Sequence, residues 1–245
     1  EQKKIADILT TVDDKISSID SQIQQTEQLK KGLMEKLLTE GIGHTEFKET
    51  EIGRIPLEWS VVRIGEIYSK STELGSASFP FGSVSINKGI VRREEFDRQL
   101  ISDLPPEKHL LVRKGYLAYN MMRMWQGASD IAYFDCIVSP AYVVCKPIVK
   151  IYPTYSKYYF KLPSMINLLE RYSKGITKDR LRLYYKDFAR IPFAFPSYEE
   201  QTQIATILST VDDKLDILTQ KKSNYQTLKK GLSQQLLTGQ MRVKV

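Results

Sequence analysis

Cysteine, histidine and tryptophan are scarce in this 245-residue chain, at two residues each. Cys136 and Cys145 stand nine positions apart in the most apolar stretch, with no CxxC pair and no secretory leader. That pattern excludes a disulfide framework and predicts buried thiols in a cytoplasmic protein. The histidines, His44 and His109, are isolated from each other and from the cysteines. No His/Cys set at metal-ligand spacing follows, so no metal is expected. A glycine-rich phosphate loop is absent, and so is any Asn-Pro-Pro-Tyr or Asp-Pro-Pro-Tyr motif of the kind amino-methyltransferases use on a flipped base. Apolar runs are broken by Lys, Arg or Pro well short of the roughly 20 residues that a bilayer-spanning helix requires. Catalysis and membrane insertion therefore have no sequence support, and no cofactor is expected in this chain.

What the chain does hold is enough apolar residue, 42%, for one medium core plus helical extensions. Its net charge is +7 and its isoelectric point is near 9.2, which permits a polyanionic partner. The excess is concentrated. Between positions 146 and 190 eleven Lys or Arg face three acids, Glu170, Asp179 and Asp187. A solvated basic face would read the same way, so charge alone does not choose a ligand.

An internal repeat organises the sequence. The 39 residues from Glu1 to Thr39 recur from Glu200 to Thr238 without a gap, sharing EQ..IA.IL.TVDDK, LKKGL and LLT, and roughly half the positions are identical. Apolar residues follow three-and-four spacing in each copy: Ile5, Leu9, Val12, Ile16, Ile19 and Ile23, then Ile204, Leu208, Val211, Leu215 and Leu218. This is a coiled-coil seam. Past the middle its register slips, through Thr26 and Leu29 to Leu33 and Leu37, and across Lys222 to Tyr225, Leu228, Leu232 and Leu236. Helices of this size are about 57 Å long at 1.5 Å per residue, and each would expose its stripe if left alone. Antiparallel pairing of the two copies is the economical arrangement. The carboxylates of Asp13-Asp14 and Asp212-Asp213 point about 100° apart on a helix, so they are expected to face solvent or a partner and not to form an acid-base pair.

Between the repeats the composition changes. Gly41 and Gly43 supply a helix stop. Short β-branched and aromatic runs follow at 59–64, 81–86, 115–119 and 136–145, punctuated by Gly, Pro, Asn and Asp. Residues 154–174 read as helix bent at Pro163, and 191–196 as an extended exit. The expected fold is α+β: a globular domain with mixed β-sheet and helices over 43–198, flanked by a coiled-coil helix over 1–42 and its repeat over 199–245.

These residues resemble the specificity subunits of type I restriction-modification systems. The repeat is similar to that family's conserved helical regions. The run Ile52-Gly53-Arg54-Ile55-Pro56-Leu57-Glu58-Trp59 resembles the IG.IP..W opening of its target-recognition domains. Further matches are Val138-Ser139-Pro140-Ala141-Tyr142, the stretch from Arg180 to Phe188, and Ile191-Pro192 through Pro196 to Glu200-Gln201. The resemblance implies a non-catalytic DNA reader for one half of a bipartite target. Its partners would be double-stranded DNA, modification (methyltransferase) subunits, restriction subunits through the complex, and a second copy through the helices. S-adenosylmethionine, ATP and Mg would belong to the partner subunits. Because such subunits have two recognition domains and this chain has one, it is expected to be either a fragment or a half-subunit that dimerises.

DNA reading needs cations for phosphates and planar or amide groups for base edges. Three segments combine them. The first has Asn87, Lys88, Arg92 and Arg93; the second has Asn120, Arg123 and Gln126 beside Trp125; the third has Lys174, Lys178, Arg180 and Arg182. The family-like third segment is assigned to phosphate positioning and the first two to base reading. Asn87-Lys88-Gly89 would equally serve as a bare hairpin turn, and Trp125 as core. A rival class is a coiled-coil adaptor whose central domain binds protein. Another is a self-sufficient nuclease or methyltransferase, which would act alone with Mg²⁺ or S-adenosylmethionine.

Overall fold

A computed structural model describes residues 1–86, 88–95 and 104–242. The chain divides into two compact units, Glu1–Met34 with Thr206–Val245, and Glu35–Ala205.

The first unit is built from the long helices α1 (Gln2–Thr39) and α6 (Tyr198–Leu237). The repeat pairs with itself. Asp13 meets Lys229 at 2.6 Å, Asp20 meets Lys222 at 2.6 Å and Lys30 meets Asp212 at 2.5 Å. Each step forward along α1 is an equal step backward along α6, so the helices run antiparallel. Asp13 and Lys30 occupy the same repeat positions as Asp212 and Lys229. Two of the three pairs are therefore one contact made twice, as a local two-fold axis requires. The expected seam lies inward: Val12, Ile19, Val211 and Leu218 are buried, and Ile5, Leu9, Ile16 and Leu215 are half-buried. Within the second unit, the α6 seam residue Ile204 is buried; Leu208, in the first unit, is buried too. The slipped half differs from expectation. Thr26 is buried, whereas Leu29 and Leu228 are about half exposed, at 51% and 48%. At the register change the stripe rotates away from the partner helix and carries these two leucines with it.

In the second unit the hairpin β1 (Phe47–Thr50) and β2 (Gly53–Pro56) is followed by β3 (Ser60–Arg63) and the single turn α2 (Ile64–Ile67). Then come β4 (Tyr68–Ser71), the hairpin β5 (Gly82–Ser85) and β6 (Gly89–Arg92), β7 (Leu110–Val112) and β8 (Leu117–Asn120). β9 (Ser129–Ile131), β10 (Cys136–Val138) and β11 (Tyr142–Pro147) complete this group. Helices α3 (Pro153–Tyr159), α4 (Pro163–Tyr172) and α5 (Tyr185–Phe188) precede the last strand, β12 (Pro192–Phe195). The largest sheet has the order β4-β11-β8-β9, all antiparallel. β12 pairs with β3, β10 with β7 and β5 with β6, and one isolated bridge, Phe81 to Ile137, is parallel. The apolar run 136–145 is two strands in different sheets, split where Pro140 denies the ladder a donor. The expected bend at Pro163 is a break, with proline opening α4 at a position where its missing N–H costs nothing.

Rings pack the centre. Tyr119, Tyr155, Phe160, Phe188 and Phe193 are wholly buried, and Phe193 lies 4.1 Å from the Tyr159 ring. Cys136 and Cys145 are free and buried, and burial pushes the Cys136 thiol up to about 11. Glu200 closes the domain. Its carboxylate accepts the Ile42 N–H at 3.0 Å, bonds His44 Nε2 at 2.9 Å and accepts Trp59 Nε1–H at 2.8 Å. Gly41 sits against this cluster at φ 68°, where a Cβ would strike the carboxylate and both rings. The neighbouring Gln201 is buried and bonds Tyr152 N–H and the Pro196 carbonyl. The Glu-Gln pair and the Trp of the opening motif are thus two sides of one hydrogen-bonded joint. Among the described residues, no helix is long and apolar enough to cross a membrane.

Candidate nucleic-acid interface

The second basic segment is a tight turn after β8. Asn120 ends the strand, and its Oδ1 accepts the Met122 N–H at 3.0 Å, which bends the chain back. A 3-10 turn, Met124–Gln126, follows, and Gly127 caps it in the left-handed region at φ 82°. Met124 is its buried anchor, and Trp125 is half-buried with its indole N–H on the Met122 carbonyl at 3.1 Å. Arg123 and Gln126 face outward.

The third segment is a loop held shut by two backbone bonds between Lys174 and Arg182, each 2.9 Å. Gly175 lies against the Arg180 backbone, where a Cβ would sit 2.6 Å from its carbonyl oxygen. Lys174 is bound to Asp187 at 2.8 Å and Lys178 to Glu170 at 2.9 Å. Arg180 and Arg182 are exposed and pair with no carboxylate among the described residues. At the tip Ile176 is 96% exposed.

The first segment is the β5–β6 hairpin. Lys88 and Arg92 are exposed, and the Lys88 N–H caps onto Ser85 Oγ at 2.9 Å. Arg92 lies 5.6 Å from the Phe134 ring. Arg93 is stacked 4.5 Å from Phe81, which itself meets His109 edge-on. Asn87 lies outside the described residues.

These segments, far apart in sequence, are joined in space. Leu183 N–H bonds the Met121 carbonyl at 2.9 Å, tying the third to the second. A groove of roughly 470 Å³ lies between them, lined by Met122, Arg123, Trp125, Gln126, Lys178 and Asp179. Lys161 joins the second to the first, donating to the Ile86 carbonyl at 3.2 Å and to the Gly127 carbonyl. Of the candidates, Lys88, Arg92, Arg123, Gln126, Arg180 and Arg182 are exposed. Asn120 and Arg93 are half-buried and engaged within the domain, whereas Lys174 and Lys178 are exposed but ion-paired.

Sequence reading missed part of this face. An adjoining groove of roughly 530 Å³ is lined by Lys70, Tyr142, Tyr184, Tyr185 and Lys186, among others. Lys70 reaches it because β4 pairs with β11, setting Lys70 opposite Cys145. No local signal marks Lys70, since its place depends on a strand pairing more than 70 positions away. Below the hairpin lies a second omission. Asp130 is buried, with its carboxyl raised above the ordinary value by burial, and Lys161 is lowered by the same cause.

Comparison with known proteins agrees with this architecture. The HsdS subunit from Thermoanaerobacter tengcongensis superposes with a TM-score of 0.62 at 14% identity, over 95% of this chain and 56% of that one. The type I restriction-modification S subunit from M. genitalium gives 0.56 at 15% identity, over 94% and 59%. Both share the fold: a domain of short strands and helices between two long helices. Residues 56–225 match the family described as the type I restriction modification DNA specificity domain, and the chain belongs to that family. Two specificity subunits of Methanocaldococcus jannaschii align with the whole chain. That of type I restriction enzyme MjaVIII is 28% identical, and that of the putative enzyme MjaX is 30% identical. The chain spans 61% and 58% of their respective lengths.

Proposed function

We propose that this chain reads one half of a bipartite DNA target for a type I restriction-modification complex and contributes no bond chemistry. The observation that carries this reading is that three basic segments, far apart in sequence, are tied to one another by hydrogen bonds. Outward arginines suit phosphate oxygens, and Arg123 and Gln126 beside the groove suit base edges. Arg180 and Arg182 supply phosphate positioning. Lys174 and Lys178, engaged with carboxylates, hold the loop that presents them. The paired helices bind modification subunits and act as a spacer of fixed length between half-sites. Methyl transfer and cleavage, with S-adenosylmethionine, ATP and Mg, belong to the partner subunits, and the setting is the cytoplasm, where the cell's DNA is.

The test is selection from a randomised duplex pool, with and without a matching modification subunit, at several salt concentrations. Enrichment of a short half-site, with affinity falling steeply as salt rises, is expected. Arg123→Ala or Gln126→Ala should relax the preference at one position, a loss of about 1–3 kcal/mol in discrimination. Enrichment of no sequence, even with the partner bound, would leave the protein-binding adaptor as the better reading.

A further inference from the structure

The β5–β6 hairpin and the 3-10 turn at Met124–Gln126 belong to different parts of the sheet system, and among the described residues no ladder pairs one with the other. A reader made of two independent loops would present its base-contacting groups in many relative positions, and discrimination depends on placement within a fraction of an ångström. Something must fix one against the other.

The groups that do so lie underneath. Lys161, just past the end of α3, sends its ammonium to the Ile86 carbonyl at the hairpin tip and to the Gly127 carbonyl that caps the turn. Asp130, on β9, takes the Ile131 N–H at 2.8 Å and lies beneath Gly89 at the start of the hairpin strand β6. Gly89, at φ 65°, rests on that carboxylate so closely that a Cβ would collide with it. Lys157, one helical turn before Lys161, shares the field of Asp130 and stacks 5.5 Å from Tyr133. A buried carboxylate and a half-buried lysine cost desolvation that an apolar pair would avoid, and such groups confer a defined geometry in return. Asp130 and Gly89 are buried, and Lys157 and Lys161 are half-buried.

We propose that Lys161 is a positioning residue for DNA reading: with Asp130 it clamps the hairpin tip and the 123–127 turn into one rigid unit, so that Arg92, Arg123 and Gln126 meet the duplex in fixed register. This rests on the DNA-reading assignment above. It differs from a phosphate contact, because Lys161 acts through backbone carbonyls and touches no nucleic acid.

The experiment compares the full chain with Lys161→Met, which keeps length and loses the donors, and Lys161→Gln, a milder change that retains one amide donor. Each is bound to the selected half-site duplex and to a scrambled duplex across a salt series. Lys161→Met should reduce the ratio of half-site to scrambled affinity at least tenfold while leaving the salt slope unchanged, since no phosphate contact is lost. Lys161→Gln should fall between, and carries the comparison if Lys161→Met does not fold. In the unaltered chain, hydrogen exchange at 88–92 and 123–128 should slow in step as half-site duplex is added. A ratio within twofold of wild type in the folded variants, or protection of one segment without the other, overturns the clamp alone. A wild-type chain with no half-site preference overturns the DNA-reading assignment and the clamp with it.

Discussion

At the residue scale, charge and burial separate candidates that sequence alone ranks together. Lys174 and Arg182 face each other across the same loop closure and both are exposed, yet Lys174 is ion-paired with the buried Asp187 and Arg182 pairs with no carboxylate among the described residues. Asp130 is the converse case, an acid with no motif around it that the fold buries beneath the hairpin. Burial raises its carboxyl above the ordinary value of 3.8, opposed by Lys157, the Ile131 N–H and Lys161. Between the unfolded value and the raised native one, the native chain holds a proton that the unfolded chain has already released. Stability from this group is complete below pH 3.8 and is lost as pH rises through the raised native value. Urea unfolding of wild type and Asp130→Asn across pH 4 to 7 is expected to give a stability difference, wild type minus variant, that declines as pH rises. A difference independent of pH across that range would contradict a carboxyl raised by burial.

At the element scale, the repeat makes a helical pair whose contacts come in equivalent sets. Asp13 to Lys229 and Lys30 to Asp212 are the same ion pair on either side of a local axis. Such half-exposed pairs contribute well under about 1 kcal/mol each, so they set register more than stability. Most of the energy lies in the seam. Gly32 and Gly231 recur in the LKKGL blocks, and a Cβ at either would meet no heavy atom within 4 Å. Nothing inside the chain requires glycine there, and in a helix interior it costs about 1 kcal/mol relative to alanine. Gly32→Ala and Gly231→Ala should each raise the unfolding free energy by about that amount, and the double variant by about twice as much, followed by circular dichroism in urea. A loss of stability in either would mean that the helical face is not open.

At the scale of the whole molecule, the paired helices have a fixed rise, and under the proposed function their length would set the number of base pairs left unread between half-sites. One heptad adds about 10 Å to a helix, close to three base pairs of duplex. Inserting a heptad into both long helices at equivalent repeat positions keeps every seam position on its face. In the assembled modification complex the preferred spacer should lengthen by about three base pairs. An unchanged spacer would remove the ruler role and leave the helices as a docking platform.

The sequence by itself determined the helical pair, the helix stop at Gly41, the strands near 60, 82, 117 and 136, and the three basic segments, because each depends on local periodicity, turn chemistry or composition. It did not determine which seam leucines stay exposed, since that follows from how two slipped stripes rotate against each other. Nor did it reveal Lys70, Asp130 or Lys161, each of which matters only through a strand pairing or a carbonyl brought near by folding. Which exposed cations are ion-paired, as Lys174 and Lys178 are, was likewise a tertiary decision. A lysine's role is fixed by which acid or carbonyl lies within about 3 Å of its ammonium, and in this fold that neighbour is often far along the chain.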